Sequence, residues 1–457
     1  MRVLLIHAKC PCEEISHKQI PLGIMYIAAF IEKKHEVQIY DEPVEIRKLD
    51  EVIAIFKPQV IGISFTTQSS VRAYEIAIKY KNIAILVAGG IHATLHPKEA
   101  LSNGFDIVSY GEGEFTFQYL LENVYDRNRY INIPGIYYIE NNRLVKTRKN
   151  INSIPLDDFP IPARHLLDMN KYDQGSIITS RGCPFKCKFC VSSVFREQTY
   201  RHRSAENVFL EIEQVVVKYN KSNIHFCDDT FTIDHKFVKD LCRLIIRSKL
   251  KFNWSILSRI DTINNDEEML ILLKEAGCRL IIFGIETGSQ HILQRINKGI
   301  SVSQIEETLL FCKKVGLDIK TTWIIGLPGT YDEQMESLYL MKRIMPNQIT
   351  IHMFIPYPGT ELYVHRDKYG ISVKDEIFMR TLPYLNPGYL DERIFRNPPF
   401  ELDYLSLDDL KEIANKMSSE LKMLGYIYPN EYNGNGEERT FKTFLDKIGN
   451  PLLKSVN

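Results

Sequence analysis

Short apolar runs alternate with segments of helical periodicity over residues 1–126. Between the first two runs, Leu22, Met25 and Phe30 recur at helical spacing, and a basic stretch at residues 33–35 favours a helix that ends there. This alternation is typical of a doubly wound, Rossmann-like parallel α/β sheet. The predicted strands are residues 2–7, 36–40, 59–65, 83–88 and 106–109.

A second and longer series of strand and helix patterns covers residues 172–367. Six such strands predict a partial (β/α)6 barrel of the TIM type, in which chemistry gathers at the carboxyl ends of the strands. The predicted strands are residues 176–179, 223–226, 252–257, 280–285, 318–325 and 348–354. The predicted helices are residues 206–219, 236–247, 267–275 and 332–342.

The remaining segments lack a core of their own. Four prolines interrupt residues 127–171, which we interpret as a linker with a small hairpin, residues 136–139 and 144–146, around Asn141-Asn142. Residues 368–457 form a helical C-terminal region. It contains an apolar helix stripe at residues 405–424 and a polar stretch at residues 430–439.

Charge and cysteine usage limit the class of protein. Among 457 residues, 57 basic and 57 acidic side chains cancel, so no net field favours nucleic acid or an anionic membrane surface. Nine cysteines, no cleavable apolar leader and no apolar run of about 18 residues predict a cytoplasmic protein without membrane insertion. We expect no nucleic-acid partner.

Three cysteines, Cys183, Cys187 and Cys190, follow the first barrel strand within eight residues. A loop that presents three thiolates and withholds a fourth ligand suits an iron-sulfur cluster with one open iron. The alternative is a structural zinc site, although the second Cys-x-x-Cys pair of a zinc ribbon is missing. The cysteines that would complete such a site are Cys227, Cys242, Cys278 and Cys312.

Polar side chains stand at the predicted ends of three barrel strands. Asp228 and Asp229 follow the second strand, Arg259 follows the third, and Glu286 follows the fourth. A zwitterionic ligand that carries a ribose needs a cation for its carboxylate and acceptors for its amine and hydroxyl groups. The alternative is a structural ion-pair network around the barrel rim.

Small and polar residues likewise follow three successive strands of the first sheet. Such a sheet binds its ligand beyond the carboxyl ends of its strands, where glycine lets the backbone approach a ligand closely. The three runs are Ser64-Phe-Thr66-Thr-Gln, Gly89-Gly90-Ile-His92 and Tyr110-Gly111-Glu112-Gly-Glu. Together they predict a binding edge.

The spacing Cys-x-x-x-Cys-x-aromatic-Cys at the mouth of a first barrel strand resembles the radical S-adenosylmethionine (SAM) enzymes. The resemblance implies that the three cysteines hold a 4Fe-4S cluster, that the methionine moiety of SAM chelates the open iron, and that cleavage gives a 5'-deoxyadenosyl radical. It also implies that the backbone at Phe189 meets the adenine. Asp228 or Asp229 would then meet the methionyl amine, Arg259 its carboxylate and Glu286 the ribose.

The first 120 or so residues resemble the cobalamin-binding domain found in front of many radical SAM domains. The resemblance rests on Pro21-Leu-Gly23 and on the runs that begin at Gly89 and Gly111. The cofactor contacts that it implies are Gly23, Ser64, Thr66, Gly89, Gly90, His92, Tyr110, Gly111 and Glu112. Because the Asp-x-His-x-x-Gly signature is absent, we expect no cobalt ligation by such a histidine, and we interpret Cys10 and Cys12 as ordinary thiols.

The combined resemblance implies a cobalamin-dependent radical SAM methyltransferase that uses methylcobalamin to methylate an unactivated carbon or phosphorus centre. It also implies a small-molecule or peptide substrate and an electron donor such as flavodoxin or ferredoxin. A cyclase or rearrangement enzyme of the same branch would share every motif. Two further alternatives fit the sequence less well. A methylthiotransferase would carry a second cluster in its front domain, which needs three cysteines, and only Cys10 and Cys12 are there. A non-catalytic iron-sulfur or cobalamin sensor would have no need to chelate SAM.

Overall fold

The computed structural model describes residues 1–10, 20–148, 154–195, 199–263, 266–374, 400–427 and 441–443. The chain divides into two compact units. The first, called the front unit here, is Met1–Ser176, and the second, called the barrel unit, begins at Ile177. No helix in the described ranges is long and apolar enough to cross a membrane.

The front unit is built on a seven-stranded sheet in the order β2-β1-β3-β4-β5-β6-β7. Strands β1 to β5 are parallel, as predicted, and all five lie within two residues of their predicted ends. The strands are β1 (Arg2–His7), β2 (Glu36–Asp41), β3 (Val60–Ser64), β4 (Ile85–Gly89), β5 (Ile107–Ser109), β6 (Ile136–Glu140) and β7 (Arg143–Lys146). The doubly wound, Rossmann-like prediction is confirmed.

Helices connect the parallel strands, and a buried apolar core that includes Leu4, Ile61 and Leu86 lies beneath them. The predicted helix ahead of the basic stop is α1, which ends at Ile31. The helices of the front unit are α1 (Leu22–Ile31), α2 (Leu49–Phe56), α3 (Ser70–Tyr80), α4 (Ile91–Leu95), α5 (Pro97–Ser102) and α6 (Gly113–Asn123). Short 3-10 turns follow at Arg127–Asn132, Leu156–Asp158, Arg164–Leu166 and Met169–Lys171.

The hairpin predicted within residues 127–171 is present as β6 and β7. Its turn residues Asn141 and Asn142 have φ angles of 49° and 60°, which suits the two-residue turn of a twisted hairpin. Strand β6 pairs antiparallel with β5, so the hairpin extends the front sheet. Burial of Ile136 and Tyr138 against the unit's core favours this pairing.

The barrel unit contains an eight-stranded sheet in the order β18-β19-β15-β14-β13-β12-β11-β8. The six predicted barrel strands are all present within two residues of their predicted ends, in agreement with a partial TIM-type barrel. They are β8 (Gly175–Ile177), β11 (Asn223–Phe226), β12 (Asn253–Ser258), β13 (Cys278–Glu286), β14 (Asp318–Ile325) and β15 (Gln348–Met353). The remaining strands are β9 (Ser180–Arg181), β10 (Arg201–His202), β16 (Ile371–Val373), β17 (Phe400–Leu402), β18 (Tyr426–Ile427) and β19 (Phe441–Thr443).

Helices follow most of the barrel strands. Those in the described ranges are α7 (Ser192–Phe195), α8 (Ala205–Glu213), α9 (His235–Ser248), α10 (Glu267–Glu275), α11 (Gln290–Arg295), α12 (Val302–Val315), α13 (Tyr331–Ile344), α14 (Glu361–Val364) and α15 (Leu407–Met423). A π turn at Gln214–Lys218 continues α8, and short 3-10 turns occupy Phe231–Ile233, Ile260–Thr262 and Arg366–Tyr369. The predicted C-terminal stripe is α15, whereas the predicted polar stretch 430–439 lies outside the described residues.

Side-chain caps fix where the barrel helices begin. Ser301 with Gln304 forms a capping box at α12, and Thr330 with Glu333 forms one at α13. Met345 ends α13 in the left-handed region, with φ of 48°. These caps return the chain to the next strand, so the carboxyl ends of the strands meet at one edge, where the cysteine loop also lies.

Candidate functional site

The cysteine loop connects β9 to α7. Cys187 is buried, with 6% of its surface exposed, and Cys183 and Cys190 are partly buried. Gly182 turns the chain into the loop with φ of 92°, and a side chain there would overlap the carbonyl oxygen of Thr199. The glycine therefore lets three thiols be presented within one short turn.

The protein environment acts on the acidity of these thiols. Burial raises the pKa of Cys183, and the backbone N–H of Phe185 partly opposes this. Burial likewise raises the pKa of Cys190, and the N–H of Ser192 partly opposes it. Cys183 and Cys190 therefore hold their protons more tightly than ordinary thiols, and metal binding would release those protons.

The donor set of the loop fits a 4Fe-4S cluster with one open iron. The loop supplies three free thiols, and in such a cluster each thiolate binds a different iron. A closed structural zinc site takes four protein ligands at a single ion. Cys242, Cys278 and Cys312 are fully buried, and Cys227 is exposed.

Arg259 lies against the cysteine loop. Its Nη1 donates to the Sγ of Cys187 at 3.3 Å, and Nε and Nη2 both donate to Asp261 at 2.9 Å. Nη2 also donates to the carbonyl oxygen of Lys298 at 2.5 Å, and the guanidinium stacks 3.8 Å from the ring centroid of Phe185. The sequence predicts that this arginine faces the carboxylate of SAM, and in the structure four of its five N–H donors bond to Cys187, Asp261 and Lys298.

Lys298 is a second buried cation of the site, with 5% of its surface exposed. Its ammonium donates to Oε1 of Glu286 at 2.8 Å and stands 5.8 Å from the ring centroid of Phe189. Its charge acts to lower the pKa of Cys190. Sequence reasoning missed this lysine, because it follows a short helix and not a strand end. In the structure its neighbours Asn297 and Gly299 both have positive φ.

Glu286 ends β13 in an unusual backbone conformation. Its φ is 71°, and the pairing with β14 shifts register between Gly284 and Glu286. A bulge of this kind re-aims a side chain at the end of a strand. A methyl group on Gly284 would lie 2.6 Å from Oε1 of Glu286 and 3.2 Å from Nζ of Lys298, so the glycine leaves room for the ion pair.

Asp228 and Asp229 have different environments. Asp228 is 2% exposed, and its Oδ1 accepts from the N–H and hydroxyl groups of Thr179 and Ser180. Burial raises the pKa of Asp228 to about 6, and the bonds from Ser180 and Thr179 act against this. Asp229 accepts from the hydroxyl of Ser192 at 3.0 Å and acts to raise the pKa of Cys183 and Cys190. Asp228 therefore anchors the start of the loop, and Asp229 lies near the thiols.

The strand order of the front unit reverses between β1 and β3, and sheets of this kind bind their ligands in the crevice at such a point, beyond the carboxyl ends of the strands. Ser64 ends β3 there, opposite His7 of β1 and Gly89 of β4. A side chain on Gly23 or on Gly111 would meet no atom within 4 Å of its Cβ. These positions leave open backbone for a large flat ligand such as a corrin, so this unit fits cobalamin.

Other predicted contacts of the front unit point into its interior. His92 is 1% exposed, with its ring nitrogens 3.2 Å from the hydroxyl of Thr67 and 3.1 Å from that of Tyr74. Tyr110 is 7% exposed, and its hydroxyl donates to the carbonyl of Thr147. These two side chains hold the turns in which they lie.

The backbone supplies the remaining predicted contacts. Thr66 donates its N–H to the hydroxyl of Ser69, and Glu112 precedes the first turn of α6. Gly90 has φ of 91°, and a Cβ there would be 2.6 Å from the carbonyl of Phe65, so the turn after β4 requires glycine. Cys10 is buried and disulfide-bonded, so our expectation of an ordinary thiol is wrong for it, whereas Cys12 lies outside the described residues.

A histidine–carboxylate–tyrosine chain, which sequence reasoning missed, lies at the carboxyl ends of β1 and β2. Nδ1 of His7 lies 2.7 Å from Oδ1 of Asp41, and the hydroxyl of Tyr172 donates to Oδ2 at 2.5 Å. Asp41 is 1% exposed, whereas 31% of the His7 side chain is exposed. Because a carboxylate only accepts, Nδ1 of His7 donates the hydrogen bond to Asp41. The signal available in the sequence was that two apolar strands, β1 and β2, end in the polar residues His7 and Asp41.

Two family models match this chain, one in each unit. The family of the B12 binding domain matches residues 9–121, and the Radical SAM superfamily matches residues 177–341. The structure is similar to that of the radical SAM methyltransferase TsrM from Kitasatospora setae, with a TM-score of 0.70 and 18% identity over 82% of this chain and 77% of that one. At this identity the likeness supports the fold.

Three relatives align over most of the chain. An uncharacterized methyltransferase, PH0819 of Pyrococcus horikoshii, is 33% identical over 383 residues, which cover 79% of this chain and 83% of that protein. The cytidylyl-2-hydroxyethylphosphonate methyltransferase of Streptomyces wedmorensis is 27% identical over 70% of this chain and 72% of its own. The anaerobic magnesium-protoporphyrin IX monomethyl ester cyclase of Rubrivivax gelatinosus is 27% identical over 86% of this chain and 74% of its own.

The three-cysteine loop, the open crevice of the front unit and these matches agree on the cofactors, which are a 4Fe-4S cluster, SAM and cobalamin. An enzyme of this kind also needs a substrate and a reductant. The chain belongs to the cobalamin-dependent radical SAM enzymes.

Proposed function

We propose that this enzyme transfers a methyl group from SAM, by way of cobalamin, to an unactivated carbon or a phosphorus centre. The observation that carries the proposal is the 33% identity to a methyltransferase over 79% of the chain. The name of the Streptomyces wedmorensis relative supports a phosphonate as one class of methyl acceptor. When bound, the cluster supplies an electron to SAM, and cobalamin carries the methyl group.

In the barrel unit, Cys183, Cys187 and Cys190 would hold the cluster. Lys298 suits the carboxylate of SAM better than Arg259 does, because one of its three N–H donors is used by Glu286 and the others bond to no described residue. Asp229 lies near the thiols and is our candidate for the methionyl amine. The roles proposed for the remaining residues are the ribose for Glu286 and the adenine for the backbone of Phe189.

In the front unit, cobalamin would lie over the crevice between β1 and β3. The residues proposed to contact it are Gly23, Ser64, Thr66, Gly89, Gly90, Gly111 and Glu112, with His92 and Tyr110 holding two of the turns. We add His7 to this set, because its Nε2 has no hydrogen-bond partner in the described part of the chain. Asp41 fixes the orientation of that imidazole, as carboxylates do for histidines at metal sites.

We also propose a small-molecule or peptide substrate, a flavodoxin or ferredoxin as electron donor, and a cytoplasmic location. In the described residues seven cysteines are free and Cys10 is disulfide-bonded, and this predominance of free thiols suits a reducing compartment. Both classes of electron donor carry a single low-potential electron, as reduction of the cluster requires.

The test uses the full chain, loaded anaerobically with cluster and cobalamin and given SAM that carries a deuterated methyl group. With a low-potential reductant and no substrate, we expect the label to appear on the bound corrin and S-adenosylhomocysteine to accumulate. The matched control is the Cys183→Ala/Cys187→Ala/Cys190→Ala variant, which should form no 5'-deoxyadenosine. Full cofactor content without label on the corrin would refute methyl transfer, even if 5'-deoxyadenosine were formed.

Ring formation is the second candidate, because the Rubrivivax gelatinosus cyclase aligns over 86% of the chain. A cyclase consumes SAM only to generate the radical. Its expected products are therefore 5'-deoxyadenosine without S-adenosylhomocysteine. The same assay separates the two candidates.

A further inference from the structure

We propose that Arg259 is a positioning residue for the cluster, which makes the cluster easier to reduce by donating an N–H to the ligand sulfur of Cys187. The contact is direct, since Nη1 lies 3.3 Å from Sγ. Both groups are buried, with Arg259 at 6% and Cys187 at 6% exposure, so water does not compete for the bond.

The surroundings of the guanidinium leave it little freedom. The guanidinium has five N–H donors, and four of them are in use. Nε donates to Asp261, Nη2 donates to Asp261 and to the carbonyl of Lys298, and Nη1 donates to Cys187. The ring of Phe185 covers one face of the guanidinium at 3.8 Å. One N–H remains, whereas a bidentate grip on a carboxylate takes two parallel donors. The geometry of Arg259 therefore suits a single hydrogen bond to a sulfur and not a bidentate contact with a carboxylate.

Reduction explains what the bond does. One electron adds a unit of negative charge to the irons and their sulfur ligands, so a donor aimed at a ligand sulfur stabilises the reduced state more than the oxidised state. Hydrogen bonds to the sulfurs are among the factors that set cluster potentials. Because the carboxylate of Asp261 pairs with the guanidinium of Arg259, their charges largely cancel at longer range. The change in the reduction potential therefore comes from the N–H bond to the sulfur of Cys187.

The experiment measures the reduction potential of the cluster in the anaerobically loaded full chain, by a dithionite titration followed by electron paramagnetic resonance. The variants are Arg259→Met, which removes the donor and the charge, and Arg259→Lys, which keeps the charge and loses the planar fork. Arg279→Met is the control, because this exposed arginine lies at the amino end of β13. Iron and sulfide contents are matched before the titration.

We expect Arg259→Met to lower the equilibrium constant for reduction about tenfold, which is about 59 mV for one electron. Arg259→Lys should fall between this variant and the unchanged protein, and Arg279→Met should match the unchanged protein. A fully loaded Arg259→Met cluster at the unchanged potential would overturn the proposal. An unchanged potential in Arg259→Lys would also overturn it, because a positive charge without the planar fork would then be enough to set the potential.

A second readout covers the case in which Arg259→Met fails to hold a cluster. In the unchanged protein grown with 15N-labelled arginine, the reduced cluster should show a 15N coupling by electron spin echo spectroscopy, and its loss in Arg259→Lys is expected. No arginine coupling in the unchanged protein would overturn the proposal. Neither measurement requires cobalamin or substrate. Their outcomes therefore do not depend on whether the enzyme transfers a methyl group.

Discussion

At the scale of single residues, two adjacent aspartates have different environments because their carboxylate oxygens accept hydrogen bonds from different groups. Asp228 and Asp229 were equivalent candidates for the methionyl amine. In the structure Asp228 bonds to Thr179 and Ser180 and is buried, whereas Asp229 is close to the thiols. The bonds of Asp228 join residues 49 positions apart, so local sequence does not contain the distinction.

Substitution Asp228→Asn should change the pH dependence of stability. Burial raises the pKa of Asp228 to about 6, so its contribution to folding is full below its ordinary pKa and is lost as the pH rises through 6. Asparagine keeps the accepting oxygen and cannot ionise. The stability of the variant relative to the unchanged protein should therefore rise between pH 4 and pH 7, by on the order of 3 kcal/mol.

Tryptophan fluorescence during urea unfolding of the cluster-free protein measures this difference. Both tryptophans, Trp254 and Trp323, are buried in the barrel unit, so their signal reports on that unit. A difference that stayed constant from pH 4 to pH 7 would show that Asp228 does not titrate in this range.

Substitution Lys298→Met should weaken SAM binding to the cluster-loaded protein by roughly 10- to 100-fold, the effect of losing a hydrogen bond to a charged group. Calorimetric titration of SAM measures the change. The matched control is Lys314→Met, because Lys314 is an exposed lysine on α12. Equal affinity in the two variants would remove Lys298 from the site.

Substitution His7→Phe should reduce cobalamin affinity by roughly tenfold, through loss of one contact worth about 1.4 kcal/mol. Absorption titration with cobalamin measures it. His165→Phe is the control, since that histidine is 54% exposed at its side chain and pairs with Glu32 on the surface. Unchanged affinity would show that the imidazole of His7 does not touch the ligand.

At the scale of elements, the period of apolar residues was sufficient to place the strands and six of the fifteen helices in the described ranges, namely α1, α8, α9, α10, α13 and α15. The eleven predicted strands of the two parallel series lie within two residues of their observed ends, because buried parallel strands are short apolar runs bounded by turn residues. Helix α12 is one of those missed, although Ser301 and Gln304 form its capping box. The pairing of β6 with β5 was also missed, since it depends on a shared buried face.

The bulge at the end of β13 is an element that only pairing reveals. Substitution Gly284→Ala should push Glu286 and Lys298 apart, because the new methyl group would lie 2.6 Å from Oε1 of Glu286. We expect SAM affinity to fall at least as far as in Lys298→Met while the cluster content is kept. Calorimetry and iron analysis check this, and full affinity in the variant would show that the ion pair is dispensable.

At the scale of the whole molecule, the two units have separate cores and separate cofactors. The Cys183→Ala/Cys187→Ala/Cys190→Ala variant should lose its iron and keep its cobalamin affinity, because the crevice residues all belong to the front unit. Iron analysis and absorption titration measure the two properties. Loss of both cofactors together would show that the front unit depends on the cluster.

The sequence by itself determined the order of the strands and the two-unit architecture, and it predicts the three cluster ligands, because strand periodicity and the spacing of three cysteines are properties of short segments. The tertiary structure decided which charged groups meet. Arg259 and Cys187 are 72 positions apart, and Lys298 reaches Glu286 only because β13 ends in a bulge. Burial requires most buried donors and acceptors to find a partner within about 3 Å, and folding in three dimensions selects that partner.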